Sequence, residues 1–260
     1  MAPPDANLHP VATGRAAETV SQHQNPQDLT FYSAWFCPFS QRVWIVLEEK
    51  GIPYQYKEVN PYKKEEHFLQ INPRGLAPAV EYRGKAIYES LVLLEFLEDA
   101  YPSYKPNLLP SDPSDRAHQR IWIDHIAKAV VPVSMRLTMT QPNEQEKLET
   151  ARNELYEALR KLQNEIKGTC FAGERFTLVD AVIVPWVLRD YVSAEHRAFK
   201  REDVGDGWAE YAKAIETRDS VCRTMSVSER DKAKVIYNRY LGGDAQSEAA
   251  KAIKAGRPIP

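Results

Sequence analysis

The chain changes texture part-way along, and that change leaves few architectures open. From about Leu29 to Pro102, short runs rich in aromatic and β-branched residues alternate with runs of helical periodicity. LTFYSAW reads as a strand. The following helix takes Pro38 at its first position, sets Phe39, Val43, Val46 and Leu47 on one amphipathic face, and is capped by Gly51. IPYQYKEV reads as a second strand and KKEEHFLQI as a short helix. APAVEY and KAIY flank Arg83-Gly84 as a hairpin, and ESLVLLEFLEDAY is a helix stopped by Pro102. The order is β-α-β-α-β-β-α, an α/β domain.

After Asp112 the periodicity is almost wholly helical. Asp112-Pro113 opens a helix in which Ile123, Ile126, Val130 and Leu137 recur and Pro132 introduces a kink. Leu148, Leu155, Leu159, Leu162 and Ile166 trace a second amphipathic helix ending near Gly168. Thr177-Leu178-Val179-Asp180 is a capping box ahead of AVIVPWV, which is apolar on all sides and therefore buried. The expected organisation is a mobile arm over 1–28, the α/β domain over 29–102, a linker over 103–111, an all-α domain over 112–241 and a tail over 242–260.

Composition narrows the function classes. The net charge of −2 offers no electrostatic footprint for nucleic acid. No apolar run suits a membrane span or a signal peptide, so no membrane partner and a cytoplasmic location are expected. Cys37, Cys170 and Cys222 are too sparse for a disulfide framework, which fits a reducing compartment. The six histidines form no ligand pattern and there is no paired Cys-x-x-Cys, so no metal is expected.

Cys37 lies in WFCPFSQ, after a predicted strand and at the start of a predicted helix. A lone cysteine is commonly a small buried apolar residue. At a helix start it instead faces unpaired N–H groups and the positive end of the dipole, which favour the thiolate. Arg42, one turn on, reads as a solvated surface charge. Cys-Pro-Phe-Ser is a Cys-x-x-Cys motif whose second thiol has become a hydroxyl. Ser40 cannot resolve a mixed disulfide, so a second thiol from solution must do so.

FCPFSQRVWIVLEEKGIPY followed by NPRGLAPAVEYRGKAIYES resembles the N-terminal domain of cytosolic glutathione transferases, in particular the omega class and the related dehydroascorbate reductases. The resemblance runs from about Leu29 to Met225 and implies a thioredoxin-like domain followed by an all-helical one. It implies glutathione as co-substrate, with Cys37 forming a mixed disulfide with it. Phe39 is the aromatic residue of the motif and Lys64 the cation that meets the glycyl carboxylate. Ala77, before a cis Pro78, pairs through its backbone with the cysteinyl part. Glu89 meets the γ-glutamyl amine and Ser90 its carboxylate. Taken alone, a Glu-Ser pair at a helix start is usually a cap, Lys64 a solvated charge and Pro78 an ordinary trans residue.

The resemblance also implies a homodimer acting on small-molecule or glutathionylated substrates. The expected reactions are deglutathionylation, dehydroascorbate reduction and reductive removal of glutathione from adducts. A conjugating transferase using the same pocket is the alternative. The chloride intracellular channel proteins share Cys-Pro-Phe-Ser-Gln-Arg but are disfavoured by Glu89-Ser90, and a non-catalytic glutathione binder remains a further alternative.

Overall fold

Phe31, buried in the middle of the first strand, marks the centre of a four-stranded sheet ordered β2-β1-β3-β4. The computed structural model describes residues 10–226 and 234–260. The strands are β1 (Leu29–Ser33), β2 (Gln55–Glu58), β3 (Ala79–Tyr82) and β4 (Lys85–Tyr88). β1 pairs parallel with β2, Thr30 opposite Gln55 and Ser33 opposite Glu58, and antiparallel with β3, Phe31 opposite Val80. A parallel pair cannot be closed by a tight turn; the crossover is helix α2 (Pro38–Lys50). β3 and β4 form a hairpin through Arg83 and Gly84, both at positive φ (50° and 75°) as a two-residue primed turn requires. Helices α3 (Glu66–Ile71) and α4 (Ser90–Ala100) complete the expected β-α-β-α-β-β-α order.

Two expectations fail here. The arm expected over 1–28 is structured from residue 10 onward; residues 1–9 lie outside the described residues. Helix α1 (Gly14–Gln22) precedes β1, with Ala16 and Thr19 buried. Nor does α2 have a solvent face: Ser40 to Leu47 are all buried. The two departures have one cause. Described residues 10–108 form a unit with 217–226, and this later segment lies against α2. Arg218 and Ser220 bind Glu49 at 2.5 and 2.6 Å, and Gln41 Nε2 donates to Thr224 Oγ1 at 3.2 Å. α1 is tied to the same segment, Ala16 N donating to Met225 O and Thr19 Oγ1 to Arg223 O. Gln41 and Glu49, polar residues of α2, are instead the contacts by which a segment distant in sequence packs on it.

The other unit comprises Leu109–Glu216 and Lys234–Pro260. In it α5 (Pro113–His125) is capped by Asp112, whose Oδ1 accepts from Ser114 N and Asp115 N at 2.9 Å. The expected kink at Pro132 takes the form of a π-helical turn over Ile126–Val130, leading into α6 (Val131–Met139). Proline lacks the N–H that would continue the α ladder, and the widened turn absorbs the loss. Helices α7 (Gln145–Gln163), α8 (Leu178–Val187), α9 (Asp190–Arg197) and α10 (Asp206–Glu216) follow. The short α11 (Asp219–Cys222) belongs to the first unit. α12 (Lys234–Leu241) and α13 (Glu248–Lys254) return to the helical one. The tail thus packs more than its composition suggests: Ala245 and Ala250 meet Met139, with Tyr240 and Ile253 around them.

Candidate active site

Cys37 is the N-cap of α2, with extended backbone (φ −80°, ψ 119°), and Pro38 occupies the first turn, where a missing N–H costs nothing. The turn that delivers it closes on itself, Cys37 N donating to Ala34 O at 2.8 Å and Gln41 N to Cys37 O at 3.0 Å. The sulfur makes no capping bond of its own. Its S–H points to Ala77 O at 3.6 Å, and Ala77-Pro78 is a cis peptide. Ser40, three residues on, is buried and its Oγ lies 3.5 Å from Ala34 N. All three cysteines are thiols.

The loop from Asn72 to Pro78 brings the remaining candidates together. Asn72, 1% exposed, organises it: Nδ2 donates to Leu76 O at 2.7 Å, and Oδ1 accepts from Arg74 N at 3.1 Å. Gly75 takes φ +64°, and a side chain there would meet Leu69 Cδ2 at 3.1 Å and the Lys64 stem at 3.3 Å. The loop therefore touches the Lys64 stem at Gly75, the Cys37 thiol at Ala77 and Glu89 through the Arg74 guanidinium. Glu89 is the N-cap of α4 at φ 75°, ψ 108°, an unusual conformation for a side-chain-bearing residue, and its carbonyl accepts from Leu93 N at 2.9 Å. Ser90 is the first residue of that helix, where hydroxyl and backbone N–H groups suit a carboxylate.

Two further residues, Arg42 and Glu58, bear on the thiol or on the turn that carries it. Arg42 is 2% exposed rather than a surface charge. Desolvation pushes its guanidinium down to about 9, so it stays cationic at neutral pH, while charge at Cys37 pulls it up. It stands 5.0 Å from the centre of the Phe39 ring. Glu58, at the end of β2, accepts from Trp35 N at 3.0 Å and from Tyr56 OH at 2.8 Å. Burial pushes its carboxyl up to about 7, partly offset by those two bonds. Sequence reading missed Asn72, Arg74 and Glu58. Asn72-Pro73 carried a turn signal; nothing local distinguished Glu58 from other strand-end glutamates.

Among the described residues no group of three or more His, Cys, Asp or Glu is placed to hold a metal ion, and no helix is long and apolar enough to cross a membrane. The profile described as "Glutathione S-transferase, N-terminal domain" matches residues 36–100, and "Glutathione S-transferase, C-terminal domain" matches 123–203. The probable glutathione S-transferase parC of Nicotiana tabacum is 31% identical over 212 residues, 81% of this chain and 93% of parC. The chain belongs to the glutathione transferase family. Among solved structures, glutathione transferase Omega 3C of Trametes versicolor is 57% identical to this transferase, with a TM-score of 0.85 over 91% of this chain and 100% of the other. Rice GST1, solved in complex with glutathione, is 29% identical with a TM-score of 0.73, covering 81% of this chain and 97% of the rice protein.

Proposed function

We propose that this transferase is a glutathione-dependent thiol transferase and reductase of the omega type, in which Cys37 forms a mixed disulfide with glutathione. One observation carries the reading: the Cys37 sulfur stands at a helix N-terminus against the Ala77 carbonyl, and the position where a resolving thiol would stand holds buried Ser40. The Cys37 thiolate attacks the glutathionyl sulfur of a mixed disulfide, and the substrate thiolate leaves and takes a proton. A second glutathione, as thiolate, attacks the glutathionyl sulfur on Cys37. Glutathione disulfide departs and the Cys37 thiolate is regenerated. Glutathione is held by Lys64 at the glycyl carboxylate, by the Ala77 backbone before Pro78, and by Glu89 and Ser90 at the γ-glutamyl amine and carboxylate. Phe39 lies beside the tripeptide. The high identity to an omega transferase supports this class, and the substrates are glutathionylated thiols, dehydroascorbate and glutathione adducts. In this reading the enzyme works as a cytoplasmic homodimer, a state that sedimentation of the purified chain tests.

Cys37→Ser separates this reading from conjugation, which the similarity to parC keeps in view. The variant is expected to lose at least about a hundredfold in thiol transfer, because a hydroxyl cannot form the disulfide intermediate. Unchanged transfer, or a variant that instead gains conjugation of a halo-nitrobenzene while wild type shows neither activity, would favour the conjugating alternative. Incubation with glutathione disulfide is expected to add one glutathione to Cys37 and none to Cys170 or Cys222, read by peptide mass mapping.

A further inference from the structure

We propose that Glu58 is the positioning residue of the Cys37 turn: its carboxyl ties the backbone before the thiol to the sheet, and its protonation changes how firmly that turn is held. The inference rests on Cys37 being the reactive thiol. Glu58 sits opposite Ser33 in the parallel ladder, and Val59 N donates to Ser33 O at 2.8 Å, so the end of β2 is laced to the point where the chain leaves β1. From there Glu58 Oε1 reaches forward to Trp35 N at 3.0 Å, two residues before Cys37. The turn from Ala34 to Cys37 is thus closed internally by Cys37 N to Ala34 O, and Glu58 ties its Trp35 amide to the end of β2.

A neutral acceptor would also satisfy Trp35 N, but a carboxylate holds it more strongly and can be switched by a proton. Both groups bonded to it, the Trp35 amide and the Tyr56 hydroxyl, are neutral donors, and burial brings its titration to about 7. As a carboxylate it accepts from both. On protonation one oxygen becomes a donor, but the Trp35 amide cannot accept. With the proton on Oε2 the Tyr56 hydroxyl turns to accept it, and the Trp35 bond to Oε1 persists but loses its charge assistance. Tyr56 is buried and faces Ser33 of β1 and Glu58 of its own strand, and it senses charge at Cys37 from the start of α2. Arg42 of α2 faces Cys37. Lys57, between Tyr56 and Glu58, is exposed on the opposite side of the strand.

The test is the rate of Cys37 alkylation by iodoacetamide between pH 5 and 9, read by peptide mapping on the full chain. It is accompanied by hydrogen exchange of the 34–37 amides, normalised to intrinsic rates. In wild type, exchange protection of this turn is expected to change around neutral pH, and the alkylation profile to carry a second inflection there. Glu58→Gln keeps an acceptor for Trp35 N but does not titrate; the second inflection is expected to vanish while Cys37 still reacts. Glu58→Leu removes the acceptor and is expected to slow alkylation roughly fivefold throughout, the size of one lost hydrogen bond, with faster exchange at 34–37. Wild-type protection that is flat across this range overturns the proposal without any variant. So does a Glu58→Gln alkylation profile that superimposes on wild type. Failure of wild-type Cys37 to react at any pH would instead sink the underlying thiol-transfer reading.

Discussion

Glu89 holds its carboxylate on a backbone at positive φ, and Arg74 pairs with it. Both side chains are about two-fifths exposed (40% and 43%), so the pair is weak, worth about 0–1 kcal/mol. The glutathione amine proposed to bind Glu89 has to displace that guanidinium. Arg74→Ala is therefore expected to tighten glutathione binding, by no more than about fivefold, with the gain fading at high salt; calorimetric titration at two ionic strengths reads it. Weaker binding in the variant would mean that Arg74 itself grips the ligand. Of the candidates at this scale, the residues flanking Cys37 and the Glu89-Ser90 pair were legible because their motifs are contiguous. Arg74 and Glu58 were not, since each acts on a partner brought near only by folding: Arg74 on Glu89, Glu58 on Trp35.

At the scale of elements, Asp180 joins more than its own helix. It receives Thr177 N at 2.7 Å as the capping box foresees, and also Thr177 Oγ1 at 2.8 Å, Phe171 N at 2.7 Å and Tyr211 OH at 2.8 Å. A single buried carboxyl thus fixes the start of α8, the loop before it and α10. Burial pushes its ionisation up and the four donors oppose that shift. Asp180→Ala leaves several buried donors without an acceptor and is expected to cost roughly 3–5 kcal/mol, measured by urea denaturation. A loss under about 1 kcal/mol would show the donors finding other partners. Asp180→Asn, which retains one acceptor oxygen, should lose less. The capping box was readable from four consecutive residues; the Tyr211 contact, thirty-one positions away, was not.

For the whole molecule, raised carboxyls, Glu58 and Asp190 besides Asp180, make stability depend on pH in a defined direction. Glu58 goes from an ordinary carboxylate value up to about 7 and Asp190 to about 6, in each case through burial first. Asp190 is held down from a larger rise by Arg201, which binds it at 2.7 and 2.9 Å and also reaches Glu216. A raised acid binds its proton more tightly folded than unfolded. Its contribution is complete below the unfolded value and is lost as pH climbs through the folded one. For Glu58 the loss runs from 4.5 to about 7 and amounts to at most roughly 3 kcal/mol, less what partial solvent contact screens. Comparing wild type with Glu58→Gln by denaturant midpoints from pH 4.5 to 8 should show a shallower decline in the variant. Parallel curves would mean that Glu58 titrates alike in both states.

The sequence by itself determined the order of the elements, the helix starts at Pro38 and Pro113 and the hairpin at Arg83-Gly84, because periodicity, caps and turn residues act over a few positions. It also placed Cys37 at the start of the helix that Pro38 opens, since Cys-Pro after a strand is a local pattern. Only the tertiary structure decided that residues 10–28 are held rather than loose, that Arg42 is buried and that α2 has no solvent face. For residues 10–28 and for α2 the deciding partners include the 217–226 segment, far along the chain. Burial is a property of what covers a residue, and no local pattern says what will cover it.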